Sequence, residues 1–307
     1  MLTRIGALAL LSMGLALIVG AGSQALPEGA RTQARDVAAQ VRTAASDVAV
    51  RARGVVGLAS LARVMPEVPL RAVAAPGHAR LTERSTTDLT DCSASIEYTP
   101  EPDQGSRHLV ADAGLHWWGW APEGDAPRPT ILLLHGAGRT GESMVDMWRE
   151  TAEAKGLVLV APNLDAIDGW DAGIPDPRAL LVALDAAAEI YPVDRTRVVL
   201  FGHSRGGMAA QTIANRYDGP WRAVAVHAGT VPPDYLVPAG AGVPIRHYLG
   251  SVDRTFPFGL AQDSARRAAE MGHPFDLIRL EGHSHWFYGT GEAIAADAWT
   301  WLAARLD

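Results

Sequence analysis

One short stretch, "VVLFGHSRGG" from Val198 to Gly207, sets a serine between glycines shortly after an apolar run. Ser204 stands in the pattern Gly-x-Ser-x-Gly, which holds a serine oxygen exposed on a sharp turn when it links a buried strand to a helix. The amino end of that helix favours developing negative charge. An ordinary strand-to-helix turn uses similar residues. Ser204 is therefore a candidate nucleophile that requires a base and an acid elsewhere in the chain.

Two loops further along the chain offer the acid and the base, in the order serine, acid, histidine. Asp253 follows the apolar segment "IRHYLG" and is the predicted acid, while Glu281, at the end of the next strand, is its rival. The segment "EGHSHWFY" then supplies two histidines. We predict His285 as the base, because the short turn before it and the aromatic residues after it would pack its imidazole over the nucleophile. His283 remains the alternative.

The developing oxyanion of acyl transfer needs two backbone N–H donors. The segment "LLLHGAG" ends an apolar strand in a glycine-containing loop, and the amide of Ala137 in that loop is the first predicted donor. The amide of Arg205, directly after the serine, is the second. His135 is interpreted as a side chain that hydrogen-bonds the neighbouring loops, and His203 as a packing residue.

Four segments, "HGAG", "YPVDRTRVVLFGHSRGG", "YLGSVD" and "GHSHWFY", occur in this order. In order and spacing they resemble the oxyanion loop, nucleophile turn, acid and histidine boxes of the α/β-hydrolase superfamily, roughly from Ser106 to Leu306. The chain is similar to single-domain esterases of the polyhydroxybutyrate depolymerase, feruloyl esterase and dienelactone hydrolase kind. It departs from secreted depolymerases, because Ala137 replaces their usual cysteine and no proline follows Trp286. The resemblance implies a serine ester hydrolase.

The elements that must position these residues alternate along the second part of the chain. Strands that are apolar throughout alternate with amphipathic helices, which predicts an α/β fold with a mostly parallel central sheet and helices on both faces. In such sheets, functional side chains gather at the carboxyl ends of the strands. We assign residues 92–307 to this catalytic domain. Hydrophobic residues make up 48% of the 307, enough for one large core.

The first part of the chain has a different composition. An apolar run from Ile5 to Val19 follows one arginine and precedes Ser23-Gln24-Ala25, which predicts a secretory signal peptide over residues 1–25. Residues 26–91 form an alanine- and arginine-rich linker or stalk. The protein is therefore expected to be secreted or periplasmic. The alternative is a protein anchored in the membrane by an uncleaved amino terminus, which would be its only membrane contact.

Composition excludes several functions. A formal net charge of −7 argues against a nucleic-acid partner. Cys92 is the only cysteine, so no disulfide can form within the chain. No HExxH motif or third clustered ligand accompanies the two histidines, so no metal or cofactor is predicted.

The substrate is expected to be a small-molecule or polymeric ester. The polar loop "DAIDGWDAGIPDP" follows a strand, and Trp170 within it is the predicted substrate contact. Three alternatives to a serine esterase working through an acyl-enzyme are a serine peptidase of the same fold, a polyester depolymerase and an inactive binding protein. The last is disfavoured because all three candidate residues of the triad are present.

Overall fold

The computed structural model describes residues 61–89, 98–163 and 175–306 of the chain. Nine strands form one sheet in the order β1-β9-β8-β7-β6-β4-β5-β3-β2. All neighbouring strands from β1 to β5 in this order are parallel, and β3 and β2 add an antiparallel edge. The strands are β1 (Leu81–Thr86), β2 (Ser106–Val110), β3 (Leu115–Trp120), β4 (Arg128–Leu134), β5 (Val158–Asn163), β6 (Val193–His203), β7 (Trp221–His227), β8 (Ile245–Gly250) and β9 (Phe275–Leu280).

Helices cover both faces of this sheet. They are α1 (Gly141–Lys155), α2 (Arg178–Ala188), α3 (Arg205–Arg216), α4 (Phe258–Glu270) and α5 (Gly291–Ala303), with single 3-10 turns at Ala111–Ala113 and Pro233–Tyr235. One hydrophobic cluster joins the sheet to α1 and α5, and the other joins it to α2, α3 and α4. The predicted fold, a mostly parallel sheet with helices on both faces, is confirmed.

The central strands are apolar throughout because both of their faces are buried. In β4, Ile131 and Leu133 belong to the cluster under α1 and α5, whereas Leu132 and Leu134 belong to the opposite cluster. All four side chains are completely buried. Successive side chains of a strand point to opposite faces, so a strand between two helical layers needs an unbroken apolar run.

The sheet contains one strand that the sequence did not predict. β1 lies within the predicted linker, residues 26–91, and pairs in parallel with β9 along its whole length. Its sequence, "LTERST", is polar because it is an edge strand with half of its residues exposed. Charged residues on an edge strand discourage pairing with other chains. The predicted domain boundary at residue 92 is therefore too late.

The residues before β1 also lie along the domain. The amide of Arg71 donates to the carbonyl of Arg216 at 2.6 Å, and the amide of Ala79 donates to the carbonyl of Ala269 at 2.9 Å. The Arg71 guanidinium pairs with Asp218 at 2.9 Å. The described part of the predicted linker is thus an integral segment of the domain.

Several predictions concern residues outside the described ranges. These are the signal peptide (1–25), the linker up to residue 60, Cys92 and Trp170. In the ranges that are described, no helix is both long and apolar enough to cross a membrane.

A truncation tests the revised boundary. A chain that begins at residue 92 lacks β1 and leaves the edge of β9 unpaired, so we expect it to unfold at a lower temperature and to aggregate. A chain that begins at residue 61 is the matched control and should keep the melting temperature of the full protein. Differential scanning calorimetry with light scattering measures both, and equal melting temperatures for the two chains would contradict the assignment of β1 to the domain.

Candidate active site

Ser204 lies at the carboxyl end of β6, one residue before α3, in a strained backbone conformation. Its φ and ψ are 53° and −120°, a region that a residue with a side chain rarely adopts. Its amide donates to the carbonyl of His227 at 2.9 Å, and its carbonyl accepts from the amide of Met208 at 3.0 Å. These two bonds hold the turn, so the strained serine projects from the edge of the sheet.

The glycines of the Gly-x-Ser-x-Gly pattern are required by close packing around this turn. A Cβ atom on Gly202 would overlap the carbonyl of Gly206, and one on Gly206 would overlap the carbonyl of Leu134 in β4. Both obstacles are backbone atoms, which cannot rotate away as a side chain can. The two glycines are therefore required because β6, α3 and β4 pack closely below the serine.

His285 lies next to the serine. Its Nε2 atom is 3.0 Å from Oγ of Ser204, and its Nδ1 atom is 2.8 Å from Oδ2 of Asp253. A carboxylate only accepts hydrogen bonds, so Nδ1 carries the proton and Nε2 presents its lone pair to the serine hydroxyl. This tautomer allows Nε2 to accept the hydroxyl proton.

Asp253 is held rigidly in the loop after β8. Its side chain is fully buried, and its second oxygen, Oδ1, accepts the amides of Thr255 at 2.7 Å and Phe256 at 2.9 Å. The rival carboxylate, Glu281, instead pairs with Arg279 at 3.1 Å and keeps 38% of its side chain exposed. The geometry therefore selects Asp253 as the partner of the histidine.

The other candidate base, His283, points away from the serine. It is completely buried, and its Nε2 atom lies 3.1 Å from Nε2 of His227 at the end of β7. Aromatic residues surround His285 instead: the ring centroids of Trp286 and Phe256 lie 5.2 and 5.7 Å from its imidazole. The geometry favours His285 over His283 as the base.

The two predicted oxyanion donors belong to segments that adjoin Ser204. Arg205 is the first residue of α3 and directly follows the serine. Ala137 is exposed in the loop after β4, and the preceding residue, Gly136, is so close that its Cβ atom would lie 3.3 Å from Cβ of Ser204. Gly138 closes this loop with a φ of +68°. Their role as donors stays a prediction.

A stack of side chains holds the loop of Ala137 in place. The guanidinium of Arg139 lies 4.6 Å above the ring of Tyr288, and its Nη1 donates to the carbonyl of Tyr98 at 3.1 Å. The two tyrosine rings are stacked, with centroids 4.2 Å apart. Burial raises the pKa of Tyr288 to about 12, so its hydroxyl stays neutral. The stack joins the predicted oxyanion loop to the loop that carries His285.

Two further histidines, His203 and His227, lie beside the serine. Burial lowers the pKa of both His203 and His227 well below the ordinary value, so both imidazoles are neutral at neutral pH. The sequence predicts a packing role for His203, and in the structure its Nδ1 also lies 3.0 Å from Nδ1 of His227. The signal that could have revealed His227 is its place at the end of an apolar strand, in "VAVHAG". His135 bonds the neighbouring Gly136 carbonyl through Nδ1 at 2.9 Å.

The comparisons with known proteins agree with this architecture. The profile of the prolyl oligopeptidase family matches residues 172–236, which include the nucleophile turn. An S-formylglutathione hydrolase from Agrobacterium tumefaciens is similar in structure, with a TM-score of 0.56 and 18% identity over 66% of this chain and 95% of that one. No curated protein matches the chain by sequence.

Two other solved structures are similar. An esterase from the Planctomycetes species Thermogutta terrifontis, solved with propionate bound, has a TM-score of 0.50 and 16% identity over 67% of this chain and 97% of that one. A puromycin-hydrolyzing peptidase from Mycobacterium tuberculosis has a TM-score of 0.52 and 15% identity over 66% of this chain but only 40% of the peptidase.

The chain thus has the α/β-hydrolase fold, the fold class that the sequence predicts. Its serine, histidine and aspartate are hydrogen-bonded in sequence at the carboxyl edge of the parallel sheet, which is the arrangement that serine hydrolases use.

The glycine after the serine gives a direct test of the packing. We expect Gly206→Ala to lower the free energy of unfolding by at least about 1–3 kcal/mol, because the new methyl group must push α3 away from the backbone of β4. The shift also moves Ser204, so a fluorophosphonate should label the serine more slowly. Urea unfolding and a labelling time course measure the two effects.

Gly259→Ala is the matched control for this change. Gly259 lies in the first turn of α4, and nothing lies within 4 Å of the position that its Cβ atom would occupy. This variant should keep both stability and labelling rate, since alanine is a better helix former than glycine. If Gly206→Ala behaved in the same way, the close approach of α3 to β4 would be wrong.

Proposed function

We propose that the protein hydrolyses carboxylic esters through an acyl-enzyme formed on Ser204. The observation that supports this most directly is the continuous hydrogen-bonded row from Ser204 Oγ through His285 to Asp253. The similarity to an esterase and to an S-formylglutathione hydrolase supports the same reaction class. The proposed substrate is a small-molecule or polymeric ester, and the reaction uses no cofactor.

The first half of the proposed reaction forms the acyl-enzyme. Ser204 Oγ attacks the ester carbonyl while its proton passes to Nε2 of His285, and the Asp253 carboxylate stabilises the imidazolium that results. The carbonyl oxygen becomes an oxyanion, which the amides of Ala137 and Arg205 would bind. His285 then gives the proton to the departing alcohol oxygen, and the C–O bond breaks.

The second half releases the acid and restores the enzyme. A water molecule attacks the acyl carbonyl and gives a proton to Nε2 of His285, and the same two amides would hold the new oxyanion. When the intermediate collapses, the bond to Ser204 breaks and the serine oxygen takes back the proton. Every proton in the cycle passes through one nitrogen atom, so the rate depends on how accurately that nitrogen is placed.

A second candidate is a peptidase of the same fold. The prolyl oligopeptidase profile and the similarity to a puromycin-hydrolyzing peptidase favour it. The two candidates share the acyl-enzyme and differ in the leaving group, because an amine must be protonated before it can leave, whereas an alcohol departs more readily. Rates on p-nitrophenyl esters of increasing chain length, measured beside those on matched peptide p-nitroanilides, separate them. Turnover of the anilides alone would favour the peptidase.

Substitutions of the three hydrogen-bonded residues test the mechanism. Ser204→Ala should fold normally and lose ester hydrolysis and fluorophosphonate labelling, since no acyl-enzyme can form. His285→Ala should cost as much activity, because the three residues act as one unit. Asp253→Asn should lower kcat by roughly 10⁴-fold, because the amide stabilises the wrong tautomer of the histidine. Steady-state kinetics measures all three, and full activity in the Ser204 variant would overturn the assignment.

We also propose that the mature protein is exported. The apolar run from Ile5 to Val19 and the small residues Ser23-Gln24-Ala25 support cleavage after Ala25. Amino-terminal sequencing of protein from the culture fluid or the periplasm should then begin near Leu26. An intact Met1 in the membrane fraction would support the anchored alternative instead.

A further inference from the structure

Three buried histidines outside the triad form a continuous chain of hydrogen bonds. Nδ1 of His203 lies 3.0 Å from Nδ1 of His227, and Nε2 of His227 lies 3.1 Å from Nε2 of His283. His227 and His283 are completely inaccessible to solvent, and His203 is 2% exposed. The proposed reaction uses none of these side chains.

The protonation states of His203 and His227 follow from their burial. Burial keeps His203 and His227 neutral, and a neutral imidazole has one N–H donor and one acceptor. Each ring nitrogen of His227 lies within hydrogen-bond distance of a nitrogen of another imidazole. His227 therefore donates a hydrogen bond from one nitrogen and accepts one at the other. The two hydrogen bonds therefore run in the same direction, and the tautomers of His203 and His227 are coupled.

The two ends of this row of histidines adjoin two different residues of the site. His203 directly precedes Ser204, and it is paired in register with His227 on the neighbouring strand. His283 precedes His285 by two residues in the loop after β9. The chain of imidazoles therefore connects the nucleophile turn to the loop of the base through the interior of the protein.

His283 also contacts the loop of the acid. Its carbonyl accepts the amide of Val252 at 3.1 Å, and Val252 directly precedes Asp253. The approach is so close that a Cβ atom on Gly250 would overlap the His283 backbone. His283 is thus the residue at which the loops of the base, the acid and, through His227, the nucleophile are joined.

We infer that the His203–His227–His283 chain positions the catalytic base, and that His283 is its main positioning residue. The inference rests on the proposed function. Hydrogen bonds between imidazoles are directional, so they fix the rotation of each ring as well as its distance, which apolar packing does not. A fixed His283 holds the backbone two residues before His285 and thereby the distance between its Nε2 and Ser204 Oγ.

The size of the effect follows from the geometry of proton transfer. A misplacement of about 1 Å at a reacting group can lower a rate by roughly 100-fold. We therefore expect His283→Phe, which fills the same space without hydrogen bonds, to lower kcat for p-nitrophenyl esters by roughly 10- to 100-fold and leave KM unchanged. The rate of fluorophosphonate labelling of Ser204 should fall by the same factor.

His273→Phe is the matched control. His273 is another completely buried histidine with two partners, Asn215 at 3.0 Å and the carbonyl of Val243 at 2.9 Å, but it lies at the amino end of β9, opposite the active site. This variant should lose comparable stability and keep kcat and the labelling rate. If both variants lost activity in proportion to their stability, the role of His283 would be only structural and the inference would be wrong.

A spectroscopic measurement tests the hydrogen bonds between the three histidines in the unaltered protein. In protein labelled with ¹⁵N-histidine, scalar couplings between nitrogens should appear across both hydrogen bonds of His227 at neutral pH. Absence of both couplings would overturn the inference, even if His283→Phe failed to fold. In that case His283→Gln, which keeps a donor and an acceptor, replaces it for the kinetics and should retain more activity than His283→Ala.

The labelling rate also separates this inference from the proposed function. Fluorophosphonate reaction needs only the activated Ser204 and no ester substrate. If the protein hydrolysed no ester but the His283 variant still reacted more slowly with the probe, the proposed substrate class would fail while the positioning role remained. Equal labelling rates in the wild-type and His283→Phe proteins would overturn the positioning role alone.

Discussion

The architecture of this protein depends on the close approach of three backbone segments below Ser204. There is no room for a side chain between these segments, which meet at Gly202 near the end of β6, Gly206 in the first turn of α3 and the carbonyl of Leu134 in β4. This contact forces the serine into its strained conformation, and two backbone hydrogen bonds maintain it. The turn is rigid as a result, so the serine oxygen has one position against which the other loops are set.

The parallel sheet brings the remaining groups to the same edge. In a parallel sheet the carboxyl ends of neighbouring strands lie side by side, so the loops after β4, β6, β8 and β9 meet although they are far apart in the chain. The apolar central strands keep this edge fixed because helices bury both of their faces. The loops can then differ in sequence and supply an amide, a hydroxyl, a carboxylate and an imidazole.

Histidines at this edge have different roles because their partners differ. His285 faces a fully buried carboxylate on one side and a hydroxyl on the other, so it can accept a proton and have its new charge stabilised. His227 instead bonds the imidazoles of His203 and His283, and burial lowers its pKa well below the ordinary value. The same side chain can thus accept a proton in one place and stay neutral a few ångströms away.

The fold class, the turn of Ser204 and the candidates for the triad could all be predicted from the sequence, because strands with two buried faces and glycine-bounded turns leave strong local patterns. The sequence favoured His285 and Asp253 but left His283 and Glu281 open as alternatives, because those choices depend on the direction in which a loop side chain points. It also missed β1, whose polar sequence has no periodicity and whose partner strand, β9, lies nearly 200 residues later in the chain. The hydrogen bonds between His203, His227 and His283 could not be predicted for the same reason. Residues far apart in sequence form hydrogen bonds only once their strands are aligned, and that alignment is a property of the folded sheet.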